Sequence, residues 1–156
     1  MKKVFQFRLL FAVIVLSCLI SNNVFSQKTE TITAQTFNYK TGNPANWPKN
    51  QDAVIAAPNN HKILLENDKV RVLEVTLLPG EKEPVHHHQW PGVLYIQTAG
   101  DFIDYDGEGK VIFDTRSLKT PLTFPMTMYK EPEAPHAVEN LSKTITIKLI
   151  RVEMKK

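Results

Sequence analysis

Three consecutive histidines, His86, His87 and His88, are the residues of this chain best suited to chemistry. On an extended strand successive side chains point to opposite faces, so His86 and His88 share one face and His87 takes the other. Two neutral imidazoles side by side on the inner face of a sheet are a common start for a metal site. The run is followed by Trp90-Pro91-Gly92 and then by a β-prone stretch, Val93-Leu94-Tyr95-Ile96. Taken alone, three histidines fit a solvated polar loop equally well. The surrounding spacing decides between the two.

Gly80, five residues, His86-His87-His88, four residues, Val93, six residues and Gly100 stand in that order. Further on, His136 precedes Asn140 by three residues in Pro135-His136-Ala137-Val138-Glu139-Asn140. The first set of intervals resembles the first sequence motif of the cupin superfamily: glycine, five residues, H-x-H, three or four residues, glutamate, six residues, glycine. The second resembles the end of that superfamily's second motif. The resemblance spans Gly80 to Asn140, with flanking strands to about Val152. Within the superfamily the chain looks most like small single-domain members with an H-x-H-x-W-P-x-V-L-Y run. It implies an all-β fold, a cupin-type double-stranded β-helix (jelly-roll) barrel. It also implies that His86, His88 and His136 converge inside that barrel on one divalent transition metal.

The chain departs from the motifs at two places. The motif glutamate is absent, because Val93 stands at the four-residue gap and Gly92 at the three-residue gap, and neither can ligate. Glu131 and Glu133 replace the proline and glycine of the second motif. Three imidazoles without a carboxylate suit iron, zinc, nickel or copper better than manganese, and they leave coordination positions for water or substrate. Some cupin thiol dioxygenases also lack the glutamate. Two function classes follow from the resemblance. One is a metal-dependent enzyme, of oxygenase or isomerase type, acting on a small molecule. The other is a non-catalytic cupin that binds a small ligand or metal, or keeps a vestigial site.

Other polar residues are assigned more modest roles. His87 is expected to turn away from the ligand pair, and His61, in Pro58-Asn59-Asn60-His61-Lys62, to be a turn histidine. Glu83, Asp101, Asp104 and Glu133 are carboxylates that folding can bring near the site, with no spacing to single one out. Trp90 walls the pocket mouth or packs beside the Pro-Gly turn; Tyr95 is expected in the core, and Asn140 is expected to tie the backbone after His136. The chain has no Gly-rich phosphate loop, nucleophile elbow or C-x-x-C pair.

The elements that must position these residues begin after a leader. Residues 1–26 read as a signal peptide, with Lys2, Lys3 and Arg8 before an apolar run from Leu9 to Ile20 and a cleavage point after Ser26. That run is shorter than the ~20 residues of a membrane span. Lipoprotein processing at Cys18 is the alternative. The formal charge of +3 is carried by those three basic residues, and the remainder balances, 16 basic against 16 acidic. That balance argues against nucleic acid as a partner. The expected location is periplasmic or secreted, with no membrane attachment after cleavage. Cys18 is the only cysteine, so an exported domain would rely on its hydrophobic core rather than on disulfides. Residues 27–52 read as a polar arm pinned by Trp47, which in a homodimer would cross to the second subunit. A short strand is expected near Thr36 to Tyr39. Residues 53–156 read as the barrel domain, with a small molecule as its partner. Ala53–Ala57, Lys62–Glu66, Val70–Leu78 and Thr144–Val152 read as strands. A hairpin is expected over Phe102–Tyr105 and Val111–Phe113, turning at Asp106-Gly107-Glu108-Gly109.

Overall fold

In the computed structural model, residues 42–155 are described. The leader 1–26, the first part of the arm and the strand expected near Thr36 to Tyr39 lie outside them. The rest of the arm carries two 3-10 turns, Pro44–Asn46 and Lys49–Gln51. Between them Trp47 is buried, its ring centre 5.2 Å from that of His87. Ala53–Ala56 is a helical turn, α1, where a strand was expected. The cause is local: Asp52 accepts a hydrogen bond from the Val54 amide at 3.2 Å, an N-cap that starts a helix before a short alanine-rich run.

Among the described residues nine strands follow: β1 His61–Glu66, β2 Val70–Leu77, β3 His86–His88, β4 Gly92–Thr98, β5 Phe102–Asp106, β6 Val111–Asp114, β7 Met126–Lys130, β8 Glu133–Asn140 and β9 Ile147–Met154. They form two antiparallel sheets in the orders β1-β2-β9-β4-β7 and β3-β8-β5-β6. The expected hairpin is β5–β6. Among the described residues no helix is long and apolar enough to cross a membrane.

Register across the larger sheet explains how the interior is filled. In β2 the buried positions are Arg71, Leu73, Val75 and Leu77, alternating with half-buried ones. Strand pairing sets Arg71 beside Glu153 and Glu153 beside Gly92; Leu73 beside Arg151 and Arg151 beside Leu94; Val75 beside Leu149 and Leu149 beside Ile96; and Leu77 beside Ile147. Paired residues face the same way, so each set is one layer of the interior. One end is charged and the other apolar. Leu73, Val75, Leu77 and Ile147 form the buried cluster at the apolar end, with Phe102, Val138 and Leu149 packed against it. Each such aliphatic side chain contributes about 1.5–3 kcal/mol by leaving water.

The same parity corrects one expectation. Positions 92, 94 and 96 of β4 face inward and are buried, so Val93 and Tyr95 face outward, at 41% and 43% exposure. Tyr95 is therefore a surface residue and not part of the core.

Two motif residues close the apolar end. Gly80 has φ +75°, a backbone conformation that side chains disfavour, and its amide donates to the Asn140 carbonyl at 3.0 Å. Asn140 is fully buried. Its Nδ2 lies within hydrogen-bond distance of the carbonyls of Leu77, Leu78 and Ile145, and its Oδ1 accepts from Ser142. The backbone-tying role expected of it is what the structure shows.

Candidate metal centre

The charged end of the interior holds four imidazoles. His86 and His88 come from β3, His136 from β8 and His61 from the first position of β1; all four are buried. His86 pairs with His136 across the β3–β8 register, which directs both rings to one face. Ring centres lie 4.6 Å apart for His86 and His136, 5.0 Å for His86 and His88, and 5.7 Å for His88 and His136. His61 is 4.5 Å from His86 and 5.2 Å from His88. The turn role expected of His61 is thus replaced by a place on a strand inside the cluster. No interval in the linear sequence marks it, because the β1–β2 hairpin alone carries it there.

Each of the four rings is anchored through Nδ1. His61 bonds the Ala57 carbonyl at 3.2 Å, His86 that of Pro84 at 2.9 Å, and His136 that of Ala134 at 2.7 Å. A carbonyl can only accept, so each Nδ1 carries the proton and Nε2 keeps its lone pair. His88 differs in its partner: its Nδ1 donates to Glu153 Oε1 at 2.7 Å. Four imidazoles held in the same tautomer, with Nε2 free, have the orientation that outer hydrogen bonds impose on metal-ligating histidines. His87 faces the other way, under Trp47, and its Nε2 donates to the Pro48 carbonyl at 3.0 Å.

Sets of ligand atoms mutually within 4.8 Å are His61, His86 and His88; Glu83, His86 and His136; and His88, Glu133 and His136. Of the three histidines expected from the motifs, His136 thus joins each of the others in a set completed by a carboxylate. Of the four carboxylates weighed from sequence, Glu83 and Glu133 reach the cluster. Asp104, on β5, pairs with Val138 of β8 and belongs to none of these sets, and Asp101 accepts from the Thr115 hydroxyl.

Glu153, which sequence reasoning missed, organises the charged layer. It is fully buried, with Oε2 on Arg71 Nε at 2.5 Å and Oε1 shared between His88 and Arg151 Nε, at 2.7 and 3.2 Å. Arg71 also grips Asp52 through both terminal nitrogens, at 2.8 and 3.1 Å. Its guanidinium lies 4.8 Å from the Trp90 ring centre, with Lys155 Nζ 5.0 Å from that centre. Arg151 bonds Glu133 as well, and Lys130 reaches Glu133 at 2.8 Å. The available signal was parity: Arg151 and Glu153 continue the buried phase of Ile147 and Leu149 on β9.

Burial sets the protonation of the cluster. It pushes His61 down to about 4, against the pull of its Ala57 hydrogen bond. Burial likewise drives His86 well below its usual value, helped by His136 and His61, and His88 similarly, helped by Arg151 and its histidine neighbours. These three are neutral, as ligands must be. Burial pushes Glu83 up to about 8 and Asp104 up to about 6. Burial also opposes ionisation of Glu133, but Lys130, Arg151 and His136 outweigh it and hold that carboxyl well below its ordinary range.

The chain is similar to solved cupin structures. A cupin domain from Bordetella pertussis Tohama I matches with a TM-score of 0.50 and 24% identity, over 62% of this chain and 92% of its own. An RmlC-like cupin family protein with a double-stranded β-helix fold, from Methanocaldococcus jannaschii, matches with a TM-score of 0.45 and 14% identity, over 61% and 78%. No family model and no curated protein matches the chain. Two antiparallel sheets enclosing a histidine-lined interior, and the likeness to the Bordetella domain, together give this chain the double-stranded β-helix fold of the cupin superfamily.

Proposed function

We propose that this protein binds one divalent transition-metal ion through Nε2 of His86, His88 and His136, with His61 as a fourth imidazole, and offers it to a small molecule inside the barrel. The observation that carries this reading is the shared tautomer: four buried imidazoles, each anchored at Nδ1 and free at Nε2. The spacing supports it too. Imidazoles that share one ion at N–metal distances of about 2.0–2.1 Å have ring centres roughly 5 Å apart, and here those of His86, His88 and His136 lie 4.6–5.7 Å apart, with His61 4.5 and 5.2 Å from His86 and His88. Neutral nitrogen donors favour iron, zinc, nickel or copper.

When bound, such an ion supplies Lewis acidity or, for iron and copper, redox chemistry at the barrel interior. The protein's own contribution is orientation. Carbonyls of the β1, β3 and β8 approaches fix three rings, and the Glu153 carboxylate fixes the fourth. The donor number bears on whether the site is catalytic. Four imidazoles fill a tetrahedral zinc ion and leave it closed, whereas a six-coordinate ion keeps positions open for substrate.

Elemental analysis of anaerobically purified protein, alongside alanine variants, tests the reading. The expected outcome is one equivalent of metal in wild type and in His87→Ala, with strong loss in His86→Ala, His88→Ala and His136→Ala and a partial loss in His61→Ala. Unchanged metal content in folded His136→Ala would overturn the assignment. Oxygen uptake by the loaded protein with small thiols, phenols and sugars separates an oxygenase from a binding protein.

A further inference from the structure

We propose that Glu83 supplies a carboxylate ligand to this metal centre, entering from the β2–β3 connection. The inference rests on the imidazole site above and adds a donor to it. The position from which β4 would otherwise deliver a carboxylate is closed. Gly92 faces inward there, and a Cβ built on it would come 2.9 Å from the Val152 carbonyl oxygen and 3.6 Å from the Glu153 Cα. No side chain fits at 92 without moving β9.

Of the other interior carboxylates, Glu153 and Glu133 are engaged, and Asp104, whose Oδ1 is also buried without a partner, lies out of reach. Both oxygens of Glu153 are taken, by Arg71 on one side and by His88 and Arg151 on the other. Glu133 reaches His88 and His136 but is held by Lys130 and Arg151. Asp104 belongs to no set of mutually close ligand atoms.

Among the described residues Glu83 is the carboxylate that combines reach with an unpaired oxygen. It is 5% exposed, and its Oε1 stands 3.9 Å from His86 Nε2. That oxygen accepts from the Val138 amide at 3.1 Å, while the Glu83 amide donates to the Val138 carbonyl at 3.1 Å. The residue is thereby clamped beside β8, two positions from His136. Its Oε2 is buried without any hydrogen-bond partner. Buried carboxylate oxygens are rarely left so, and one that is unpaired beside free imidazole nitrogens fits an absent cation. The ligand atoms of Glu83, His86 and His136 lie mutually within 4.8 Å. The carboxylate thus comes three residues before the H-x-H pair. A mixed nitrogen and oxygen set favours a six-coordinate ion over a closed tetrahedral one.

Cobalt(II) is the probe, because its visible bands report donor number and type. Wild type, Glu83→Gln, Glu83→Asp and His86→Ala are titrated anaerobically against a competing chelator, with circular dichroism to confirm folding. Infrared difference spectra of wild type with and without cobalt provide a readout that needs no variant. The expected result is at least roughly tenfold weaker binding and altered visible bands in Glu83→Gln, with a partial effect in Glu83→Asp. New carboxylate bands should appear on loading wild type. If Glu83→Gln matches wild type in affinity and spectrum while His86→Ala loses the metal, the Glu83 assignment falls and the imidazole site stands. If Glu83→Gln does not fold, absence of new carboxylate bands in loaded wild type is the overturning result. If folded wild type takes up no cobalt, both fall.

Discussion

A glycine and a glutamate on neighbouring strands divide the work that one inward carboxylate would do. Gly92 lets β9 approach closely, and Glu153, its partner across β4 and β9, carries the negative charge. That charge lies between two buried guanidiniums and fixes the proton of His88. Replacing it leaves Arg71 and Arg151 facing a neutral group in the interior. Removing one partner of a buried ion pair costs about 3–5 kcal/mol. Glu153→Gln should fall at the lower end, since Asp52 and Glu133 still hold the far sides of the arginines. Urea unfolding should show a lower midpoint at unchanged slope, and cobalt affinity should drop about 10- to 100-fold as the His88 anchor changes from a carboxylate to a neutral amide oxygen. Wild-type stability in that variant would remove the structural role given to this carboxylate.

At the scale of elements, the connections matter as much as the strands. The β2–β3 connection lays Glu83 against β8. The β8–β9 connection is held by Asn140, whose side chain joins the end of β2 to Ile145, just before β9. Asn140→Ala deletes those bonds and leaves buried carbonyls unpaired, at about 1–3 kcal/mol. Because the residue sits at the apolar end, thermal unfolding should move to lower temperature while metal stoichiometry stays at the wild-type value. Loss of metal from a folded Asn140→Ala protein would mean that the two ends of the barrel are coupled.

For the whole molecule the buried titratable groups predict opposed pH dependences in the metal-free state. His61, with a folded value near 4, and the lowered His86 and His88 refuse protons that the unfolded chain takes up below about 6.5. Their contribution is present above that pH and is lost as pH falls. Glu83 and Asp104, raised to about 8 and about 6, keep protons that the unfolded chain releases above about 4–4.5. Their contribution is present at low pH and is lost as pH rises. The two trends offset between about 4.5 and 6.5, and above that the raised Glu83 lowers stability, up to about 8. Denaturant unfolding in the presence of chelator should therefore show stability falling from pH 6.5 to 8. Glu83→Gln should flatten that alkaline limb and leave the acid limb in place. An alkaline limb that persists in the variant would show that another group causes it.

The β-barrel and the paired orientation of His86 and His88 were legible in the chain itself, because both depend on local rules. Period-two alternation, turn residues at short intervals and the H-x-H parity operate within a few residues. A local rule also acts at Ala53–Ala56, where the Asp52 cap makes a helical turn of the expected strand. The composition of the site depended on register between strands far apart in sequence. A shift of one residue reverses every side chain, so whether position 92 or 93 faced the interior was settled only by the pairing of β4 with β9 and β7. The same pairing set Glu153 opposite Gly92, and the β1–β2 hairpin drew His61 into the cluster. His61 and Glu153, 92 positions apart in the chain, are both gathered around His88. No spacing along the chain encodes such a meeting, because it is the closing of the barrel that brings its parts together.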